Sequence, residues 1–103
     1  MQLNPLQPVL MIRIRAGLQE LTEDTNASPL VRKLAQKLAR HLPARTTAHH
    51  FATQALDYGH QIYAPHVADA QQRNDLLAQH IPALAQRVCD PTFAAAVKNI
   101  YRP

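Results

Sequence analysis

Apolar positions along this chain recur at helical spacing in five stretches. Their boundaries are marked by prolines that follow good helix-capping residues. Asn4-Pro5, Ser28-Pro29 and Asp90-Pro91 each pair a capping side chain with a proline at the first helical position, where a missing N–H costs nothing. Pro43 closes a segment, Thr47 can cap the next, and Pro65 can open another. These signals predict an all-α, compact bundle of four to five helices near 5–23, 29–42, 48–63, 66–88 and 91–101, in a single helical domain over 1–103.

The stretch "VLMIRIRAGLQEL" admits two readings. Residues 9–15 alternate apolar and charged, as a half-buried strand does. Over a longer window, Leu6, Leu10, Met11, Ile14, Gly17, Leu18 and Leu21 fall within an arc of about 140° at 100° per residue. No second alternating run bounded by turn residues offers a strand partner within the chain, so the helix is favoured. Its rival is a strand that pairs across a dimer. In a helix from 5 to 23, Val9, Ile12 and Ala16 form a second apolar ridge outside the main arc. That ridge either contacts the chain's own helices or forms an oligomer interface, and a homodimer is one expectation.

The other segments are plainer. In 29–42, Leu30, Val31, Leu34, Ala35, Leu38 and Leu42 share one face, opposite Arg32, Lys33, Gln36, Lys37, Arg40 and His41. In 48–63, Phe51, Ala55, Leu56, Tyr58, Ile62 and Tyr63 point inward, and His49, Thr53, Asp57 and His60 line the outside. The stripe from Val67 through Ala70, Leu77, Ala78, Ile81, Leu84 and Ala85 to Val88 keeps its phase across Pro82. A single helix kinked at Pro82 is therefore expected, with Asn74 inside the stripe. Phe93, Ala96, Val97 and Ile100 face inward in the last segment.

Composition sharpens this picture. Alanine supplies 17 of 103 residues, which favours helix but makes a thin core. The formal net charge of +4 is concentrated. Residues 25–56 hold Arg32, Lys33, Lys37, Arg40 and Arg45 and no Asp or Glu. No apolar run approaches the ~20 residues of a membrane span, and no signal-peptide pattern is present, so a cytoplasmic location is expected. The heavy Ala, Gln and His usage suggests a GC-rich bacterial gene.

Candidate chemistry is sparse. Two glycines leave no room for phosphate-cradling loops, and no nucleophile-elbow or zinc-helix motif occurs. His49 and His60 lie eleven residues apart, roughly 16 Å along a helix, so one ion cannot bind both. Asp57 and His60 with His66, or His66 with Asp69, are the closest approach to a ligand set. Cys89 beside Asp90 lacks the electropositive setting of a reactive thiol. No catalytic residue, metal or cofactor is expected, and the chain reads as a non-enzyme.

The expected function is stoichiometric binding of a macromolecular partner, as an adaptor, inhibitor or accessory regulator. Arg32, Lys33, Lys37, Arg40 and Arg45 would meet an acidic protein surface. The alternative is a small basic DNA- or RNA-binding regulator. A faint helix-turn-helix in 34–56 would then present Arg45, Thr46, Thr47, His49, His50 and Thr53 to the groove. That motif lacks a turn glycine and contains Pro43.

Overall fold

A computed structural model describes residues 4–101. The chain is an all-α bundle with a minimal two-stranded sheet: β1 (Val9–Leu10), α1 (Ile12–Glu23), α2 (Pro29–His41), β2 (Arg45–Thr46), α3 (Ala48–Tyr63), α4 (Ala70–Val88) and α5 (Pro91–Ile100). No helix among the described residues is long and apolar enough to cross a membrane.

The first segment departs from the expected helix over 5–23, which begins only at Ile12. Pro8 is the reason. A helix capped by Asn4 needs the residue-8 N–H for its first full turn, and proline has none; its ring also steers Gln7 away from helical backbone. Asn4 instead closes a local turn, its Oδ1 accepting from the Leu6 N–H at 2.9 Å. The chain then runs extended. Val9 pairs with Thr46 and Leu10 with Arg45 in antiparallel register. Just beyond the two strands, the Met11 N–H donates to the Ala44 carbonyl at 2.9 Å. The strand partner lies within the chain, in the short link between α2 and α3. Leu6 and Leu10, expected inside, are consequently exposed, and Val9 is not on a helical ridge with Ile12 and Ala16.

From Ile12 onward the helical periodicity holds. Ile14, Leu18 and Leu21 are buried between α2 and α4. The Arg15 guanidinium donates to the Leu42 carbonyl at 2.8 Å, at the end of α2, where free carbonyls favour a cation. Leu34, Ala35 and Leu38 form the buried face of α2. Thr47, Asp69 and Asp90 cap α3, α4 and α5 through side-chain oxygens that accept backbone N–H groups of His50, Gln72 and Phe93, each at 2.9 Å. Helix α4 starts at Ala70 rather than 66 because residues 64–66 turn back, with His66 and Val67 both donating to the Tyr63 carbonyl. It runs unbroken through Pro82 to Val88. Asn74 lies on its exposed side rather than within the stripe.

Three contacts tie the later helices to the core. Phe51 and Phe93 meet edge to face, 5.7 Å between centroids. The Tyr101 hydroxyl donates to the Ala52 carbonyl at 2.6 Å, fixing the end of α5 on α3. Arg73 bonds His60 Nδ1 at 3.0 Å and the Val67 carbonyl at 2.8 Å, lacing the α3–α4 link. The Asp24 carboxylate takes the Asn26 N–H and pairs with Arg87, joining the end of α1 to α4; these two contacts, in that order, hold its carboxyl below its usual value of 3.8.

Two tests follow from this packing. A Cβ on Gly59 would lie 2.4 Å from Cδ2 of the fully buried Leu77. Gly59→Ala therefore sets about 1–3 kcal/mol of overpacking against a helix-propensity gain of about 1 kcal/mol. In urea unfolding, Gly59→Ala with Leu77→Ala should be more stable than the sum of the single changes by about 1 kcal/mol or more; strict additivity would contradict the close approach. Second, because the folded-state value of Asp24 is depressed, its contribution to stability is complete above about pH 3.8 and fades as pH falls through the lower folded value. An NMR titration should show Arg87→Leu moving the Asp24 midpoint upward yet leaving it below 3.8, since the Asn26 N–H remains. An unmoved midpoint would remove Arg87 from the account.

Candidate interaction surface

Burial of the Leu34–Leu38 side of α2 turns its other side to solvent, and the charged residues follow helical geometry. Lys33, Lys37 and Arg40, at i, i+4 and i+7, occupy one outward strip with Gln36 and His41. With Ile62 of α3 they line a shallow groove of about 250 Å³. On the far side of Gln36 and Arg40 lies a second depression of about 390 Å³, bounded by Gln19, Thr22, Glu23 and Ala39. Gln36 and Arg40 thus form a ridge between two hollows.

The groove has an ordered wall. Lys37 Nζ sits 4.8 Å above the Tyr58 ring and donates to Gln61 Oε1 at 2.7 Å. The His41 ring lies 5.9 Å from the Tyr58 ring at a 58° tilt. Tyr58, Gln61 and Ile62 of α3 are therefore part of this surface, although their sequence pattern only marks Tyr58 and Ile62 as inward-facing. The signal for them is the pairing of two helices side by side, which a one-helix periodicity does not contain.

The five expected partner-binding cations do not all converge. Lys33, Lys37 and Arg40 do. Arg32 is half-buried, its Nε is enclosed without a hydrogen-bond partner, and its charge contributes to the lowering of Asp24. Arg45 is exposed on β2, opposite Leu10. Among the described residues the one ion pair is Arg87 with Asp24, so no carboxylate is paired with Lys33, Lys37, Arg40 or Arg45.

The residues considered for nucleic-acid contact are divided. Arg45, His49 and Thr53 are exposed. Thr46 is 3% exposed, with its hydroxyl enclosed. Thr47 is engaged as the α3 cap, His50 is half-buried, and the Thr53 hydroxyl donates to the His49 carbonyl. The link between α2 and α3 contains β2, whose pairing with β1 holds the Arg45–Thr46 backbone. Ile12 and Ala16, of the proposed oligomer ridge, are exposed on α1, and Val9 is half-buried in β1.

The remaining candidates for chemistry are occupied structurally. His60 Nδ1 receives the Arg73 guanidinium, a cation where a metal ligand set would need anions or free lone pairs. His80 Nδ1 shares a 2.8 Å hydrogen bond with the Tyr63 hydroxyl, whose burial pushes its ionisation up to about 12. Cys89 is buried; desolvation first, and Asp90 second, raise its thiol to about 12. Comparison of the chain with protein-family models, with curated proteins and with solved structures found no match in any of the three.

A thiol held this high is protonated at neutral pH and enclosed. Iodoacetamide at mild alkaline pH should label Cys89 in the folded protein at least about a hundredfold more slowly than in urea. Labelling at the unfolded rate under native conditions would overturn this placement.

Proposed function

We propose that the chain acts without catalysis, by stoichiometric binding of an acidic protein segment along the strip of Lys33, Lys37 and Arg40, in the manner of an adaptor, inhibitor or accessory regulator. One observation carries this reading: three cations one helical turn apart converge on a single groove, and none is paired with a carboxylate among the described residues. Their span is about 10 Å, at 1.5 Å per residue. Carboxylates at the same i, i+4, i+7 spacing on a partner helix match it. Ile62 gives that helix an apolar contact, and the packing of Lys37 and His41 against the Tyr58 ring reduces the ordering needed on binding. Charges of this kind set association rate and salt sensitivity.

The same cations suit phosphates, so a regulator of DNA or RNA is the second reading, with Arg45, His49 and Thr53 as its exposed additional contacts. The acidic helix is preferred because Thr46 and Thr47 are committed to burial and capping.

The experiment is a fluorescence-anisotropy titration with two probes: a helical peptide carrying Glu at i, i+4 and i+7 beside leucines, and a random-sequence DNA duplex. The peptide is expected to bind, and Lys33→Glu, Lys37→Glu, Arg40→Glu together to weaken it about a hundredfold, or about 1 kcal/mol per cation. Peptide binding that survives the triple reversal at low salt contradicts the proposal. Tighter duplex binding, with affinity falling several-fold per doubling of salt, replaces it with the nucleic-acid reading.

A further inference from the structure

The large exposed hydrophobic side chains among the described residues are Leu6, Leu10 and Ile12, at 67, 60 and 74% exposure. They are confined to seven consecutive positions: Leu6 in the turn before β1, Leu10 on β1 across from Arg45, and Ile12 at the start of α1. Singly exposed leucines are ordinary on a protein surface; a cluster of three in one short segment is not. Beside them lies a depression of about 320 Å³ whose apolar lining includes Val9, Leu10, Ile12 and Val88.

Two charged residues complete that lining, Arg13 from α1 and Asp90 from the α4–α5 junction. They carry opposite charge, and neither takes part in an ion pair within the described residues. Asp90 uses Oδ1 to cap α5, and its Oδ2 makes no hydrogen bond within the described residues. The Arg13 side chain makes no hydrogen bond within the described residues, whereas its neighbour Arg15 is tied to Leu42. The depression is therefore lined by apolar side chains with one cation and one anion, neither ion-paired among the described residues, and exposed Arg45 stands across from Leu10.

That arrangement differs in kind from the α2 strip. A surface of one sign selects a partner of the other sign and repels its own copy. A lining that carries both signs is complementary to itself. In a twofold interface each residue of the patch meets the patch again, so a cation and an anion on opposite sides of the axis are both satisfied at once.

We propose that the chain pairs with a second copy of itself through Leu6, Leu10 and Ile12, about a twofold axis that sets Arg13 of each protomer against Asp90 of the partner subunit. Ala16, exposed one turn beyond Ile12, extends the contact with a side chain small enough to let the two α1 helices approach. The two α2 strips stay outside the interface, so this association does not depend on the acidic-partner reading.

Sedimentation equilibrium on the full chain tests it, from about 1 to about 300 µM. Wild type is expected to approach twice the 11.5 kDa chain mass as concentration rises. Ile12→Glu should remain at the monomer mass throughout, with an unchanged far-UV circular dichroism spectrum, because this side chain lies outside the core. Leu10→Ser is the second variant, and should do the same without adding charge. Arg13→Glu, which turns two attractive pairs into two repulsive ones, should weaken pairing about tenfold. Asp90→Asn keeps the helix cap and should weaken it less. A wild-type monomer at every concentration overturns the proposal, as does a dimer that Ile12→Glu and Leu10→Ser leave intact. A dimer sensitive to Ile12 yet indifferent to Arg13→Glu overturns the charge pairing that selects a second copy.

Discussion

The structure depends on the burial of one side of α1 between α2 and α4. Ile14, Leu18 and Leu21 fill that seam, and Gly17 lets α4 come close: a Cβ there would stand 3.0 Å from Val88 Cβ and 3.2 Å from its Cα. In an alanine-rich chain the core is thin, so close approach of helix backbones substitutes for large side chains. Once α1 has this position, α2 has one choice of orientation. Its leucines must face α1, and its cations, on the opposite side, must face water.

The electrostatic character of the molecule follows from that geometry. Part of the charge on α2 is explained locally, since Arg40 and His41 stand in its last turn, where the helix end favours positive charge. Lys33 and Lys37 lie earlier and have no such role. Of the chain's acids, Asp24 is held by Asn26 and Arg87, Asp69 and Asp90 cap helices, and Asp75 takes the Gln71 amide, while Glu23 borders the hollow beside Arg40 without forming an ion pair with it. Among the described residues, α2 thus carries cations that form no ion pair with an acid, and a different, apolar depression is lined by charges of both signs.

Sequence periodicity carried most of this information where an element is bounded by its own caps. Helices α2, α3 and α5 stand within a residue or so of their expected limits: Thr47 and Asp90 cap α3 and α5 through their side chains, and Pro29 opens α2 although Ser28 makes no side-chain cap hydrogen bond. The first segment was harder, because both of its readings are present in succession. Two residues extend as a strand and a helix follows, and the deciding residue is Pro8, not the apolar spacing. The basic strip was legible as charge on one helix face. Its division was not: Arg32 is half-buried with its Nε enclosed, and Arg45 departs on β2, whose pairing is with β1. The aromatic wall from Tyr58 likewise exists only once α3 lies beside α2. The burial of Thr46 and the exposure of Asn74 are tertiary outcomes of the same kind, set by neighbours that local pattern does not name.

The crowding of outward cations on α2, none in an ion pair among the described residues, has a direct thermodynamic signature in the isolated protein. Like charges one turn apart repel one another in the folded state, and salt screens that repulsion over about 10 Å at 0.1 M. Urea unfolding measured from low to moderate sodium chloride should show stability increasing with salt, and the increase should shrink when Lys33, Lys37 and Arg40 are all changed to Gln. Stability that falls with salt, or a salt effect indifferent to those three residues, would mean that the chain's own acids already compensate them, and would contradict the account.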